Sequence, residues 1–543
     1  MKKSSFLFIL LINIILINTL FAYYGAKYLI IAPDNFVSEL QQFADWKTKK
    51  GIKTMIVPLS VTGSSASQIK NYILNAYNNW QIRPEYILLA GHGSVLATSG
   101  SSDDYFADMG GSYLIELSIG RLPASNLDQL RNIVNKTLNY ERYPYLTDTL
   151  WFRKGMTIVR EDYSGYPPTQ YPDTYYWENA RYVFTQWLRN GYVYVDSLSK
   201  NRGHSSTDIV NGITDGRAYV LFRGQSTTNW WTPFSTEPNN CNNGYKLPVV
   251  VSGTCATMSL SSTGYAADRF INAGSVTTPK GSVGFFASTM TSSGSGLAMQ
   301  RGTVSVGFFR SVFEDKVYAM GDAAKRAKFI LDSIQPAGYS SDRYREWNLF
   351  GDPTLQLWTD APKPMLVLYD SVIPSTQSSL QITVRNQNNN AVPNALVCLR
   401  MDTIIYTWGY TNMQGLINLS FTPQASGIMD ITVTAPNYIP FENTIRFIPA
   451  NQPYINIVSY NFTEQLGNND GKINPGEQIQ LSVILRNDGN ISAPNVQAYL
   501  RTNNPYITIQ DSLCEYGTIA VGESVISQQI YRFWVSSNCR NNE

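Results

Sequence analysis

The chain has 543 residues with 42 Lys or Arg against 40 Asp or Glu, and its net charge is +2. At roughly 150 residues per domain this length predicts three or four domains, and the 43% hydrophobic content argues against a largely disordered chain. The small net charge disfavours a nucleic-acid partner. The presence of only two histidines excludes a multi-histidine metal site.

The first 22 residues are predicted to be a signal peptide. Lys2 and Lys3 form a basic start, residues 6–21 are mostly apolar, and Ala22 is a small residue at the end of the run. This apolar run is short for a membrane anchor, which needs about 20 apolar residues. We therefore expect an exported protein, secreted or held at the cell surface, with no membrane span after cleavage.

Strand and helix patterns alternate along the first two thirds of the chain. Short apolar runs such as residues 27–32 and 86–90 predict buried strands, and the segments between them carry apolar residues at helical spacing. This alternation predicts parallel strands joined by helical crossovers. The pattern resumes after Pro144, so we predict two α/β subdomains, at residues 23–145 and 146–360.

The helical spacing disappears after Pro362, and short alternating runs separated by turn residues follow. This pattern predicts two all-β modules, at residues 361–450 and 451–543. Their length and strand spacing are typical of tandem immunoglobulin-like sandwiches.

One loop of the last module partly matches a calcium-binding pattern. Asn468, Asp470 and Glu477 fit the third, fifth and twelfth positions of such a loop, but Leu466 occupies the first. A structural calcium ion and a plain polar turn both remain open for this segment.

Two predicted strands of the second subdomain end in chemically distinctive loops. The strand at 218–222 leads into Gly224-Gln225-Ser226, and the strand at 247–251 leads into a loop that carries Cys255. Ligands of open parallel sheets bind beyond the carboxyl ends of the strands. These two loops therefore form the predicted site.

At these residues the chain resembles the gingipain-type cysteine peptidases of family C25, which share the caspase-like fold. The resemblance covers roughly residues 28–358. It rests on an ordered set of segments: YILLAG at 86–91, SDDYFA at 102–107, IGRLP at 119–123, NKTLNYE at 135–141 and NLFGDP at 348–353.

The resemblance implies a cysteine-histidine mechanism for peptide-bond cleavage. A thiolate attacks the scissile carbonyl, an imidazole transfers the proton, and backbone N–H groups stabilise the oxyanion. Cys255 matches the nucleophile, and Asp103, followed by Asp104, best matches the acid that orients the imidazole. The resemblance implies no required cofactor, although structural calcium is common in the family.

The histidine position departs from the family pattern. Where the family has Gly-His-Gly-Ser, this chain has Gly224-Gln225-Ser226-Thr227. Gln225 has no titratable proton near neutral pH, and loss of the acid-base partner costs on the order of 10²–10⁴ in rate. Ser226 replaces a glycine beside the expected oxyanion hole, to which Ser226 and Cys255 would contribute their backbone N–H groups.

His92 is the alternative base. It lies in Gly91-His92-Gly93-Ser94, a copy of the missing pattern after a strand of the first subdomain. A loop histidine without catalytic function is the competing interpretation. His204 lies in a Gly- and Ser-rich loop and is interpreted as a solvated residue.

Three functions are compatible with these observations. The first is a secreted cysteine peptidase with impaired activity, and the second is a non-catalytic pseudopeptidase that binds polypeptides or a surface partner. In the third the β modules act as an adhesin or scaffold and the α/β part is a relic.

Overall fold

The structure is a computed structural model that describes residues 25–111, 114–291, 296–334, 342–402, 404–422, 427–448 and 452–539. The predicted signal peptide, residues 1–22, lies outside this part of the chain. Within the described ranges, no helix is long and apolar enough to cross a membrane.

The first part of the chain alternates strands and helices. Its strands are β1 (Tyr28–Ala32), β2 (Thr54–Pro58), β3 (Tyr86–Ala90), β4 (Ser118–Leu122), β5 (Lys154–Val159), β6 (Tyr194–Ser199), β7 (Tyr219–Arg223), β8 (Ser226–Thr227), β9 (Asn229–Trp230), β10 (Val249–Gly253), β11 (Gly284–Ser288) and β12 (Trp347–Phe350). Its helices are α1 (Val37–Lys49), α2 (Leu59–Thr62), α3 (Ala66–Asn79), α4 (Asp104–Ala107), α5 (Leu127–Glu141), α6 (Asp173–Arg189), α7 (Ser206–Asp215), α8 (Ala266–Asn272), α9 (Leu297–Phe313), α10 (Met320–Ile334) and α11 (Asp342–Arg345).

The two predicted subdomains share one continuous sheet. Its strand order is β2-β1-β3-β4-β12-β11-β10-β7-β5-β6. Strand β12 pairs parallel to β4 and antiparallel to β11, whereas the other neighbouring strands are parallel. The strands of the two halves therefore run in opposite directions, and their carboxyl ends lie at opposite edges of the sheet.

Burial on both faces explains the apolar strands. All residues of β1, β7, β10 and β11 are buried, because helices cover both faces of the sheet. Each fully buried large apolar side chain contributes roughly 1.5–3 kcal/mol to folding. Helix α9 is buried along most of its length against α6 and α10, and it reaches the sheet at β10.

Helix starts follow local signals in the sequence. Ser65 caps α3 and Ser205 caps α7, each in a reciprocal pair with the residue three positions later, Gln68 and Asp208. Such boxes satisfy two backbone N–H groups that have no partner inside the helix. They fix where the crossover helices begin.

The second part of the chain is all-β in its described residues. The first module contains β13 (Met365–Leu368), β14 (Val372–Pro374), β15 (Ser379–Asn386), β16 (Leu396–Met401), β17 (Ile405–Tyr410), β18 (Leu416–Ser420), β19 (Gly427–Thr434) and β20 (Phe441–Ile448). The second contains β21 (Ile455–Leu466), β22 (Gln478–Asn487), β23 (Ala493–Tyr499), β24 (Ile507–Asp511), β25 (Leu513–Ile519), β26 (Ser524–Ile526) and β27 (Tyr531–Val535).

Each module has two sheets around a shared apolar core. Sheets β13-β15-β18 and β14-β20-β19-β16-β17 enclose the first core, and β21-β22-β27-β24 and β23-β25 enclose the second. This arrangement fits the expected β modules. The immunoglobulin-like topology stays a prediction.

The first β module packs on helix α1 of the α/β part and on Arg142, the residue that follows α5. Arg142 donates two hydrogen bonds of 2.7 Å to the carboxylate of Glu442, and Lys49 lies 3.3 Å from the same group. Burial alone would raise the pKa of Glu442, but Arg142 and Lys49 hold it below its ordinary value. This ion pair fixes β20 on the α/β part.

Candidate active site

Two neighbouring strands bring the predicted catalytic loops together. Strands β7 and β10 are parallel, and Arg223 pairs in register with Gly253. The loops that follow therefore leave the same edge of the sheet side by side. Gln225 and Cys255 both line one cavity of about 160 Å³ at this edge.

The tight exit from β7 requires glycine at position 224. Gly224 has a φ of +146°, and a Cβ atom there would lie 2.6 Å from the carbonyl oxygen of Arg160. Only glycine tolerates this conformation and close approach without strain. The turn aims the side chain of Gln225 toward the end of β5.

The carboxylate partner of residue 225 is Asp162. The Nε2 atom of Gln225 donates to Oδ2 of Asp162 over 3.1 Å, and Arg160 binds the other oxygen at 2.8 Å. Asp162 follows β5, which is the neighbour of β7 in the sheet. An acid in the loop three residues beyond a strand at this edge was the signal in the sequence that could have identified it.

Asp103 occupies a different place from the one predicted. Its carboxylate binds the guanidinium of Arg121 at 2.6 and 2.8 Å, and both side chains are buried. Its backbone N–H donates to Asn348 over 2.8 Å. The structure thus joins Asp103 to β4 and β12 and not to Gln225, because its carboxylate is already engaged by a buried cation.

Asp104 is likewise engaged by a buried cation. Lys328 donates to both of its carboxylate oxygens at 2.6 and 2.8 Å. Burial raises the pKa of Asp104, although the charge of Lys328 opposes that rise. Its ion pair holds the short helix α4 against α10.

The structure does not bring His92 to Cys255. His92 follows β3 and Cys255 follows β10, and these strands run in opposite directions. The two residues therefore leave opposite edges of the sheet. The Nδ1 atom of His92 lies 3.0 Å from the hydroxyl of Ser94, and burial together with the charge of Arg121 lowers the pKa of His92.

His204 is also distant from the cavity. It lies in the turn after β6, where its Nδ1 atom is 3.2 Å from the carbonyl oxygen of Ser199. Strand β6 is three strands from β10, which corresponds to roughly 14 Å at about 4.8 Å per strand. Neither imidazole of the chain is placed to exchange a proton with Cys255.

The sulfur of Cys255 instead contacts an arginine. The Nη1 atom of Arg301 donates to Sγ over 2.9 Å, and its Nε atom donates to Oε1 of Glu346 over 3.0 Å. Burial alone would lower the pKa of Arg301, but Glu346 and Cys255 raise it above its ordinary value. Arg301 is thus a permanent cation. Arg301 comes from the first turns of α9, and no motif in the sequence of this helix marks a single arginine as a site residue.

Ser226 ties the two loops together. Its hydroxyl donates to the carbonyl oxygen of Cys255 over 2.8 Å and contacts the hydroxyl of Thr254 at 3.1 Å. Thr254 in turn donates to the carbonyl oxygen of Gly224 over 2.6 Å. A glycine at position 226 could not make this link, so the serine changes how the predicted oxyanion loop is held.

The predicted calcium loop is closed by its own amides. The carboxylate of Asp470 accepts from the backbone N–H of Lys472 at 2.9 Å, and that of Glu477 accepts from the N–H of Asn474 at 2.7 Å. Asn468 bridges to Asp470 at 3.3 Å. The described residues hold no cluster of three or more His, Cys, Asp or Glu side chains suited to a metal.

The sheet and the cysteine-bearing loop define a class of protein, the caspase-like α/β fold of cysteine peptidases. Peptidase family C25 matches residues 22–358. The chain belongs to this family.

Curated relatives are gingipains from Porphyromonas gingivalis. Lys-gingipain W83 is 23% identical over 467 residues, which are 79% of this chain and 26% of that protein. A gingipain R1 is 22% identical over 66% of this chain and 37% of its own length, and gingipain R2 is 22% identical over 66% and 49%. The chain thus spans about a quarter to a half of the length of these relatives.

Solved structures agree on the fold. The crystal structure of the Arg-specific cysteine proteinase gingipain R has a TM-score of 0.69 at 17% identity, covering 78% of this chain and 98% of that one. The complex of the pro- and mature domains of the Porphyromonas gingivalis protein has a TM-score of 0.67 at 16% identity, with 78% and 100% covered. At these identities the likeness concerns the fold alone.

Proposed function

We propose that this protein binds polypeptides in the Cys255 cleft and hydrolyses them slowly or not at all. The observation that carries the proposal is the pair formed by Gln225 and Asp162. Gln225 stands beside Cys255 at the strand end where the family has its histidine, and its amide is held by a carboxylate at 3.1 Å. A carboxylate, an amide and a thiol thus lie at one edge of the sheet, and the amide, which takes the central position, carries no titratable group.

Proton transfer is the step that this arrangement lacks. An amide neither accepts the thiol proton nor delivers a proton to the departing amine near neutral pH. Amine leaving groups depend on that delivery. The loss corresponds to on the order of 10²–10⁴ in rate.

Arg301 supports one half of the reaction only. Its guanidinium donates a hydrogen bond to Sγ over 2.9 Å, so it contacts the atom that would attack a carbonyl carbon. Because an arginine keeps its proton throughout the working pH range, it cannot protonate the amine. The site therefore suits binding and attack better than complete turnover.

Export and surface function form the second part of the proposal. The basic start and apolar run of residues 1–22 support export of this chain.

Large apolar side chains of the last module are exposed on β21, namely Ile457, Val458 and Tyr460 at 54–70%. Exposed apolar groups of this kind favour a role of the β modules in contacting other proteins.

A comparison of wild type with Cys255→Ala tests the proposal. Both purified chains are incubated with a mixture of unfolded polypeptides, and binding is measured by co-sedimentation and cleavage by mass spectrometry. We expect equal binding and no cleavage beyond the Cys255→Ala background. Rapid cleavage by wild type alone would contradict the proposal, and so would the absence of binding by either chain.

A further inference from the structure

The cavity beside Cys255 has an unusual distribution of charge. Among its described lining residues, the side chains that carry a permanent charge are the guanidinium groups of Arg223 and Arg301. None of these lining residues is Asp or Glu. The cavity is about 160 Å³ and has aromatic walls from Tyr171 and Tyr176, so it is large enough for one side chain of moderate size.

Arg223 is a buried cation without a carboxylate partner among the described residues. Its side chain donates to the amide oxygen of Asn179 at 3.0 Å and to the carbonyl oxygens of Gly253 and Ala298, all neutral groups. Buried charges are otherwise paired with an opposite charge. Burial lowers the pKa of Arg223 to about 10, and the neighbouring Arg301 adds to that effect.

The nearby carboxylates are engaged elsewhere. Asp162 binds Arg160 and Gln225, and Asp173 accepts the backbone N–H groups of residues 162 and 163 at 2.7 and 2.8 Å. Glu346 lies behind Arg301 and pairs with its Nε side. The guanidinium groups are therefore the permanently charged groups that line the cavity itself.

We propose that this cavity is a subsite for a carboxylate, supplied by an acidic side chain or by the free carboxyl end of a bound polypeptide. A carboxylate seated there would complement Arg301 at the wall and Arg223 just behind it. A Lys or Arg side chain would face two like charges in a site of low dielectric constant. The inference deepens the proposed function and rests on it, since it names the chemistry of the bound polypeptide.

Covalent probes read this subsite directly, because Cys255 is part of the cavity wall. The probes are acetyl-Ala-Ala-X acyloxymethyl ketones in which X is Asp, Asn or Lys. The thiolate attacks the methylene carbon, the C–S bond forms as the C–O bond breaks, and the acyloxy group leaves as a carboxylate. The rate of labelling of the full chain is measured by intact-protein mass spectrometry.

We expect the Asp probe to label Cys255 at least about 10-fold faster than the Asn probe, because a charge-assisted hydrogen bond to an arginine is stronger than a hydrogen bond from a neutral amide. The Lys probe should be slower than both. Because Asp and Asn differ by one charge at nearly equal size, their ratio separates carboxylate recognition from general sulfur reactivity.

Two variants localise the effect. Arg301→Gln should reduce the Asp-to-Asn ratio toward one, whatever it does to the absolute rate. Arg310→Gln is the matched control, because Arg310 lies on the same helix, is half exposed and pairs with Glu314. It removes an equal charge outside the cavity and should leave the ratio unchanged.

A competition experiment distinguishes the two sources of carboxylate. Acetyl-Ala-Ala-Ala with a free carboxyl end should slow labelling by the Asn probe more than its amide does if the cavity takes a chain end. An Asp-to-Asn ratio above 10 without this competition assigns the cavity to a side chain. An Asp-to-Asn ratio near one together with no competition would overturn the subsite. The proposed function is tested independently by the measurement of polypeptide binding.

Discussion

The Nη1 atom of Arg301 lies 2.9 Å from Sγ of Cys255. The same guanidinium is paired with Glu346, and both charged side chains are buried. Cys255 thus has a fixed cation as its partner, and neither imidazole of the chain lies nearby. The sulfur therefore contacts a cation that keeps its proton in the working pH range and cannot exchange it with a substrate.

Replacing the arginine should lower the reactivity of the sulfur. We expect Arg301→Gln to slow carbamidomethylation of Cys255 by iodoacetamide at neutral pH by about 10-fold, because the reacting sulfur loses a charged hydrogen-bond donor at 2.9 Å. Arg301→Lys retains a cation that can pair with Glu346 and should show a smaller loss. Unchanged labelling in both variants, with peptide mapping at Cys255 as the measurement, would contradict the assigned contact.

The assignment of Asp103 to the scaffold has a stability consequence. Asp103→Asn removes one partner of the buried pair with Arg121, which costs about 3–5 kcal/mol for such pairs. Urea unfolding should therefore show a clearly lower free energy of unfolding. Labelling of Cys255 in the folded variant should remain as in wild type. Loss of labelling without loss of stability would instead indicate that Asp103 acts in the active site.

Much of the site could be predicted from the sequence. Cys255 and Gln225 follow apolar runs, and adjacent parallel strands place such loops at one edge. Asp162 was missed because it is 63 residues from Gln225, and the resemblance directed attention to Asp103. The opposite direction of the two sheet halves depends on β12, a four-residue strand whose pairing leaves no periodic pattern. That reversal removes His92 from the site.

Acid should destabilise the fold by protonating a carboxylate in a buried ion-pair cluster between α1 and α5. Burial alone would raise the pKa of Glu141, but Lys47 and Lys50 lower it to about 2 from an ordinary value of 4.5. A carboxylate with a lowered pKa stabilises the fold above pH 4.5, and this contribution is lost as the pH falls from 4.5 toward 2.

Glu141→Gln removes this pH-dependent contribution. Thermal unfolding followed from pH 7 to pH 3 should show a lower melting temperature at pH 7 and a shallower decline below pH 4.5 than in wild type. An equally steep acid decline in the variant would show that other carboxylates control it. Glu39→Gln, at an exposed pair with Arg131, is the control and should follow wild type closely.

Asp162 should matter once a histidine is restored. In a Gln225→His, Ser226→Gly background, the imidazole would take the place of the amide that now donates to Asp162. Asp162→Asn in that background should lower kcat for a peptide substrate by about 10-fold or more, because the carboxylate orients the ring and stabilises its charged form. Asp103→Asn in the same background should change stability more than kcat.

The most direct measurement compares the hydrolysis of one peptide mixture by wild type and by Gln225→His, Ser226→Gly. We predict that wild type cleaves no faster than Cys255→Ala. The restored histidine should raise the rate by about 10²-fold or more, and the gain should vanish when Cys255→Ala is added. Efficient, Cys255-dependent cleavage by wild type would contradict the account, because Gln225 would then not be the residue that limits catalysis.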